Sequence, residues 1–160
     1  MLANLDFKDW LALNQLYADY ASAVDSGQWD LWPEFFTDRC VYRLQPRENH
    51  ERGFPLATLS FTSKGMLKDR VYGIKETLFH DPYYQRHVVG APVVRDIGPD
   101  GMRCEANYAV FRTKLSEATT VFNVGRYIDT VVGTPGGLKF ASRECIYDSE
   151  MIPNSIIYPI

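Results

Sequence analysis

The sequence predicts an α+β fold, with helices in the first half and an antiparallel meander of long strands in the second. Near the N-terminus apolar residues recur at three- and four-residue steps, and from Tyr84 onward the period falls to two. Short turn clusters separate the period-two runs: Gly98-Pro99-Asp100-Gly101, Ser116-Glu117 and Gly133-Thr134-Pro135-Gly136-Gly137. Turns that brief leave no room for crossover helices, so the strands they join are antiparallel. Helices first and a meander last is the α+β order, not the alternating α/β one. A chain of 160 residues is expected to form one domain over 1–160 and to bury a core without a disulfide or metal staple.

The first helix carries Trp10, Leu13, Tyr17, Tyr20 and Val24 on one stripe, widened by Leu16. Asp6 or Asp9 caps its start and Gly27 stops it. A shorter helix presents Trp29, Trp32 and Phe36 on one face, with Pro33 acceptable only in its first turn. Residues 41–45 alternate as a short strand. The polar stretch 46–53 interrupts the pattern and leads to an extended segment over 54–61. A third helix aligns Leu67, Val71, Ile74 and Leu78, weakened at Gly73 by about 1 kcal/mol relative to Ala. Residues 88–94 form the first strand of the second half, with Pro92 marking an edge or bulge. In the next, Met102, Cys104, Ala106, Tyr108 and Val110 share a face. Residues 119–132 form another strand. The last places Leu138, Phe140, Ser142, Glu144 and Ile146 on one face and Tyr147 on the other. The apolar tail, residues 152–160, is expected to dock on its own domain or on a partner.

Composition narrows the function. A net charge of -3 with interspersed signs gives no basic stripe for nucleic acid. No apolar run approaches the roughly 20 residues that span a bilayer, and Met1-Leu2-Ala3-Asn4-Leu5-Asp6 does not read as a signal peptide. A cytoplasmic protein with no membrane or nucleic-acid partner is expected. Cys40, Cys104 and Cys145 are odd in number and far apart, which argues against a disulfide framework, a zinc site or a thiolate-held cluster. The high aromatic share, 14%, suits both a wide curved sheet and a subunit interface.

Asp25-Ser26-Gly27-Gln28-Trp29-Asp30, then Phe35-Phe36-Thr37-Asp38 and Val41-Tyr42, resemble the opening of the NTF2-like superfamily, whose fold is a cone of helices packed on a strongly curved sheet. Arg47-Glu48-Asn49, then Gly65-Met66-Leu67-Lys68-Asp69-Arg70-Val71, then Arg86-His87 resemble the small (β) subunits of aromatic-ring-hydroxylating dioxygenases, in order and at suitable spacing. Phe79-His80-Asp81-Pro82-Tyr83-Tyr84 and Ile156-Ile157-Tyr158-Pro159-Ile160 are most similar to the salicylate 5-hydroxylase branch, with the terephthalate and anthranilate branches near it. The resemblance implies a non-catalytic scaffold that binds no cofactor. A larger α subunit would carry the Rieske [2Fe-2S] cluster and a mononuclear non-haem iron, in an α3β3 assembly supplied with electrons by a ferredoxin and a reductase.

The residues themselves leave rivals open. A Rieske centre needs two Cys and two His, which these scattered residues do not supply at any recognisable spacing. His80, Asp81 and His87 are the only candidates for a facial iron triad, against the plainer reading of hydrogen-bonding residues. A lyase or isomerase of the same fold would use an acid–base site in the cone, for which Asp25, Tyr42, Tyr72 and His87 are the candidates. Asp25 more often serves at a helix end or turn, and Tyr42 more often fills the core from its strand. A binding module for a small apolar ligand is the third reading. Arg47, Glu48, Asn49, Asp69, Arg70, Arg86 and His87 are expected at a subunit interface, the charged ones forming a network within the chain or across to a neighbour.

Overall fold

The computed structural model describes residues 5–152 and 155–160. Residues 1–4 and, in the apolar tail, Pro153 and Asn154 lie outside them.

Helix α1 spans Phe7–Asp25, and Asp6 caps it by accepting the Asp9 N–H at 2.8 Å. Its repeat buries Leu13, Leu16, Tyr17, Tyr20, Ala23 and Val24, whereas Trp10 falls outside the stripe, 40% exposed and stacked on Phe7. Gly27 reverses the chain with φ +68°. Trp29–Phe35 is a 3₁₀ helix, so Pro33 sits beyond the first turn without meeting the carbonyl that an α-helix would set against its ring. Phe36 belongs not to that helix but to strand β1, Phe36–Pro46, which is longer than its alternation indicated.

The polar stretch after β1 is not irregular. It contains a short helix, α2 (Arg47–Glu51), whose flanks are tied by Arg47–Glu51 at 2.7 Å and Glu48–Arg52 at 3.2 Å, both four residues apart. None of its residues is buried, so apolar periodicity is blind to it. The extended segment narrows to strand β2, Leu59–Phe61. Helix α3, Lys64–Tyr72, is capped by Ser63 and passes at Gly73 into a π-helical turn, Gly73–Thr77.

Strands β3 (Tyr83–Val89) and β4 (Val93–Gly98) correct the expectation of one run over 88–94: the chain breaks at Gly90-Ala91-Pro92, where Pro92 has no N–H to give a ladder. Strands β5 (Gly101–Lys114), β6 (Thr120–Thr134) and β7 (Gly137–Tyr147) form the meander. The sheet order is β2-β1-β7-β6-β5-β3, with β4 continuing beside β5. Among the described strands, β1–β7 is the one parallel pairing. Helix α1 lies against β3 and β7, and α3 against β1, closing the helices over one face of the sheet.

Bulges set which residues face that core. Between Thr130↔Ser142 and Val131↔Phe140 the register slips, leaving Ala141 unpaired on β7. The slip divides the predicted face Leu138-Phe140-Ser142-Glu144-Ile146: after Phe140 it is Arg143, Cys145 and Tyr147 that turn inward, buried to 0%, 0% and 3% exposure.

At Gly125 the neighbouring strand comes unusually near, since a Cβ there would lie 2.0 Å from the Ile146 carbonyl oxygen. Backbone cannot retreat as a side-chain tip can. Gly125→Ala is therefore expected to cost about 3 kcal/mol or more, read as a lowered urea midpoint, whereas Gly133→Ala, with open space at its Cβ, leaves packing untouched.

Candidate functional site

The interior of the cone is occupied by a charged pair. Asp129 and Arg143 stand directly opposite on β6 and β7. Arg143 donates from Nε to Asp129 Oδ1 at 3.1 Å and from Nη2 to Oδ2 at 2.7 Å, and Tyr17 of α1 donates to Oδ2 as well. Both charged side chains are fully buried. The guanidinium carbon lies 3.9 Å from the ring centres of Tyr127 and Phe140, 4.2 Å from Tyr20 and 4.8 Å from Tyr17, so a cage of π faces replaces its lost water. Burial raises the Asp129 carboxyl while Arg143 opposes that rise. For Arg143 burial works against the charge, yet Asp129 outweighs it and holds the guanidinium well above its ordinary range. The two tendencies on Asp129 conflict, and the bidentate geometry decides for the ionised pair. Neither residue carried a sequence signal: they are fourteen positions apart on strands with apolar residues in both phases.

The four cone-site candidates divide. Asp25, at the end of α1, and His87, on β3, do meet. Asp25 Oδ1 lies 2.6 Å from His87 Nδ1, Oδ2 accepts the His87 backbone N–H at 2.8 Å, and Arg86 Nη1 stands 3.9 Å away. The imidazole is wholly buried, and its Nε2 has no hydrogen-bond partner among the described residues. A groove of about 550 Å³ runs past the pair, bounded by Asn14, Ala18 and Ser22 of α1 and by Gly90 and Pro92. Tyr42 lies elsewhere, on β1, where its hydroxyl accepts the Ile160 N–H at 2.9 Å and faces the Ile160 main-chain oxygen at 3.2 Å. Burial pushes its phenol well up. Tyr72 is 63% exposed on α3 and lines a separate surface groove with Lys68 and Lys75. The four candidates are thus not gathered into one site: Asp25 and His87 meet, and Tyr42 and Tyr72 stand apart from them.

The charged residues do not form one network within the chain. Arg47 bonds Glu51 and reaches Asp148 at 3.4 Å, Glu48 pairs with Arg52, and Asn49 donates to the Leu56 carbonyl. Asp69 is exposed on α3, whereas the neighbouring Arg70 turns inward and its Nη2 bonds the carbonyls of Ile156 and Ile157 at 2.9 and 3.0 Å. Arg86 stands by Asp25, on a third part of the surface.

The proposed iron triad disperses too. His80 contacts the Leu78 carbonyl and the Tyr158 hydroxyl, Asp81 pairs with Lys114 at 3.0 Å, and His87 is held by Asp25. Among the described residues no three of His, Cys, Asp and Glu group as metal ligands. Cys40, Cys104 and Cys145 sit on β1, β5 and β7, and burial raises all three thiols, the latter two to about 12. The donor set fits neither a Rieske cluster nor a mononuclear iron.

Residues 6–144 match the SnoaL-like domain family. The chain is 30% identical over 155 residues to the anthranilate 1,2-dioxygenase small subunit of Burkholderia cepacia, covering 97% of this chain and 96% of that one. It belongs to the family of aromatic-ring-hydroxylating dioxygenase small subunits. The β 1 subunit of the terminal oxygenase component of terephthalate 1,2-dioxygenase from a Comamonas species is 29% identical, over 89% of this small subunit and 93% of its own length. Among solved structures, the β subunit assigned to an aromatic-ring-hydroxylating dioxygenase of Novosphingobium aromaticivorans superposes with a TM-score of 0.86 at 33% identity, over 94% and 96% of the two chains. The NTF2-like cone is the fold these relatives share.

Proposed function

We propose that this small subunit, a single domain over residues 1–160, is a structural component of a Rieske-type oxygenase that holds catalytic α subunits in place and carries out no chemistry itself. One observation carries the reading: the space in which an enzyme of this fold would hold its substrate is filled by the chain's own Asp129–Arg143 pair, its cage of rings and Ile160. The cluster and iron then belong to the α subunit, with which β forms α3β3. Electrons arrive through a ferredoxin and a reductase that contact α. Among the described residues no helix is long and apolar enough to cross a membrane. The complex works in the cytoplasm. The relatives are named for anthranilate and terephthalate, both aromatic carboxylates, which supports an aromatic acid such as salicylate as the complex's substrate. Arg47, Glu48, Asn49, Asp69 and Arg86 remain interface candidates, since each keeps side-chain surface that the chain's own contacts do not cover.

One observation favours a second reading. Asp25 and His87 have the geometry of a proton-transfer dyad, with Nε2 left unpartnered beside a groove. Co-expression with and without the α chain separates the two. The chain purified alone is expected to contain no stoichiometric iron and to turn nothing over. In the complex, Asp25→Asn and His87→Gln are expected to leave hydroxylation per assembled α subunit unchanged. Loss of turnover at full assembly in either variant would move the chemistry into this chain.

A further inference from the structure

Residues 155–160 have no regular secondary structure, yet Ile156, Ile157, Tyr158 and Ile160 are all buried, Ile160 completely. The carbonyls of this segment are bonded by side chains from across the fold. Arg70 of α3 takes those of Ile156 and Ile157, and Gln85 of β3 takes that of Pro159 at 3.1 Å. Tyr20 of α1 donates to the Ile160 oxygen at 2.8 Å, and the Cys145 thiol lies 3.6 Å from it. Trp32 steadies Tyr20 from behind, Nε1 to the hydroxyl at 3.1 Å. The Tyr158 ring lies between Trp29 and Tyr83, 4.5 Å from each, while its hydroxyl meets His80 Nε2 at 2.8 Å. A strand added to a sheet is paired by backbone. Here side-chain donors satisfy the carbonyls and separate pockets receive the side chains, which is the way a cleft holds an extended peptide.

We propose that this end of the cone is a peptide-binding cleft for an extended, uncharged segment, and that residues 155–160 are its resident ligand, bound in cis. The donors belong to elements that the sheet and helices fix independently of the tail: Arg70 on α3, Gln85 within the β3–β5 ladder, Tyr42 within the β1–β7 ladder. Specificity lies in the aromatic slot that receives Tyr158 and in the pocket that buries Ile160 completely. The cleft accepts an apolar peptide with Tyr two positions before that Ile, and acidic side chains at the buried positions are excluded by the cost of burying an unpaired charge.

The test uses the full chain. A site-specific protease sequence is inserted between Glu150 and Met151, both exposed, and the folded protein is cut there. The released segment is expected to co-elute with the body at one to one on gel filtration, by intact mass. It should exchange with a labelled peptide of the same sequence, and poorly with one carrying Tyr158→Ala. Arg70→Ala removes two hydrogen bonds from a charged donor and is expected to speed exchange at least about tenfold. Asp69→Ala, its exposed neighbour, should not change it. Loss of the segment from a body that stays folded overturns the proposal. So does unfolding on cleavage, which would make the tail a piece of the core and not a ligand, and so does an Arg70→Ala exchange rate equal to the parent's. The readout needs no α subunit, so it is independent of the scaffold reading.

Discussion

Arg143→Met is expected to lower the unfolding free energy of this subunit by about 3–5 kcal/mol, a large part of the roughly 5–15 kcal/mol that a domain commonly has. The loss comes from what stays behind. Asp129 is fully buried, and without the guanidinium its carboxylate keeps the Tyr17 hydroxyl as a partner and no counter-charge. The ring cage of Tyr17, Tyr20, Tyr127 and Phe140 accepts a Met side chain readily, so packing contributes little to the loss. Removing both charges is a different experiment. Asp129→Leu with Arg143→Met leaves no buried ion, and pairs exchanged for apolar residues of similar volume are often neutral or stabilising. The double variant should regain most of the loss in urea titrations. A double variant as unstable as the single one would mean that the pair contributes through contacts other than its charge.

Alkali should unfold the protein abruptly. Burial raises the phenols of Tyr17, Tyr20, Tyr42, Tyr108 and Tyr127 far above the ordinary value near 10. A group whose folded pKa exceeds its unfolded one contributes stability that is complete below the unfolded pKa and is lost as pH rises through the folded one. Below pH 10 these five therefore impose no pH dependence. Above it the folded state binds five more protons than the unfolded chain, and stability falls by roughly 7 kcal/mol per pH unit. Stability of ordinary size is exhausted near pH 11.5 by that slope. The part of the tyrosinate absorbance at 295 nm that belongs to these five buried phenols should appear together with the loss of far-ultraviolet circular dichroism. Tyrosinate rising to its full amplitude near pH 10 with the fold intact would contradict it. Tyr108→Phe should shallow the slope by about one fifth.

Much of this architecture was legible in the residues because it depends on neighbours in sequence. The stripe of α1, the Asp6 cap, the stop at Gly27 and the turns between β5, β6 and β7 follow from periodicity and turn chemistry, which act over a few positions. The same local view missed α2, held by charge pairs and not by burial, and ran β3 and β4 together across Gly90-Ala91-Pro92. It brought Asp25 and His87 onto one short list with Tyr42 and Tyr72 without indicating that the first two touch and the others do not.

By itself the sequence determined the α+β class, the helix-then-meander order and, through motif blocks spread along the chain, the family. The class and the order are encoded in period and turn chemistry, and the family in the resemblance of those blocks to known small subunits. Only the tertiary structure decided what fills the cone. One unpaired residue, Ala141, reverses the phase of β7 and turns Arg143 inward to Asp129. The parallel pairing of β1 with β7 brings Tyr42 to the tail, more than a hundred positions away in the chain. Bulge placement and long-range pairing are settled by the packing of the whole sheet, which no window of adjacent residues contains.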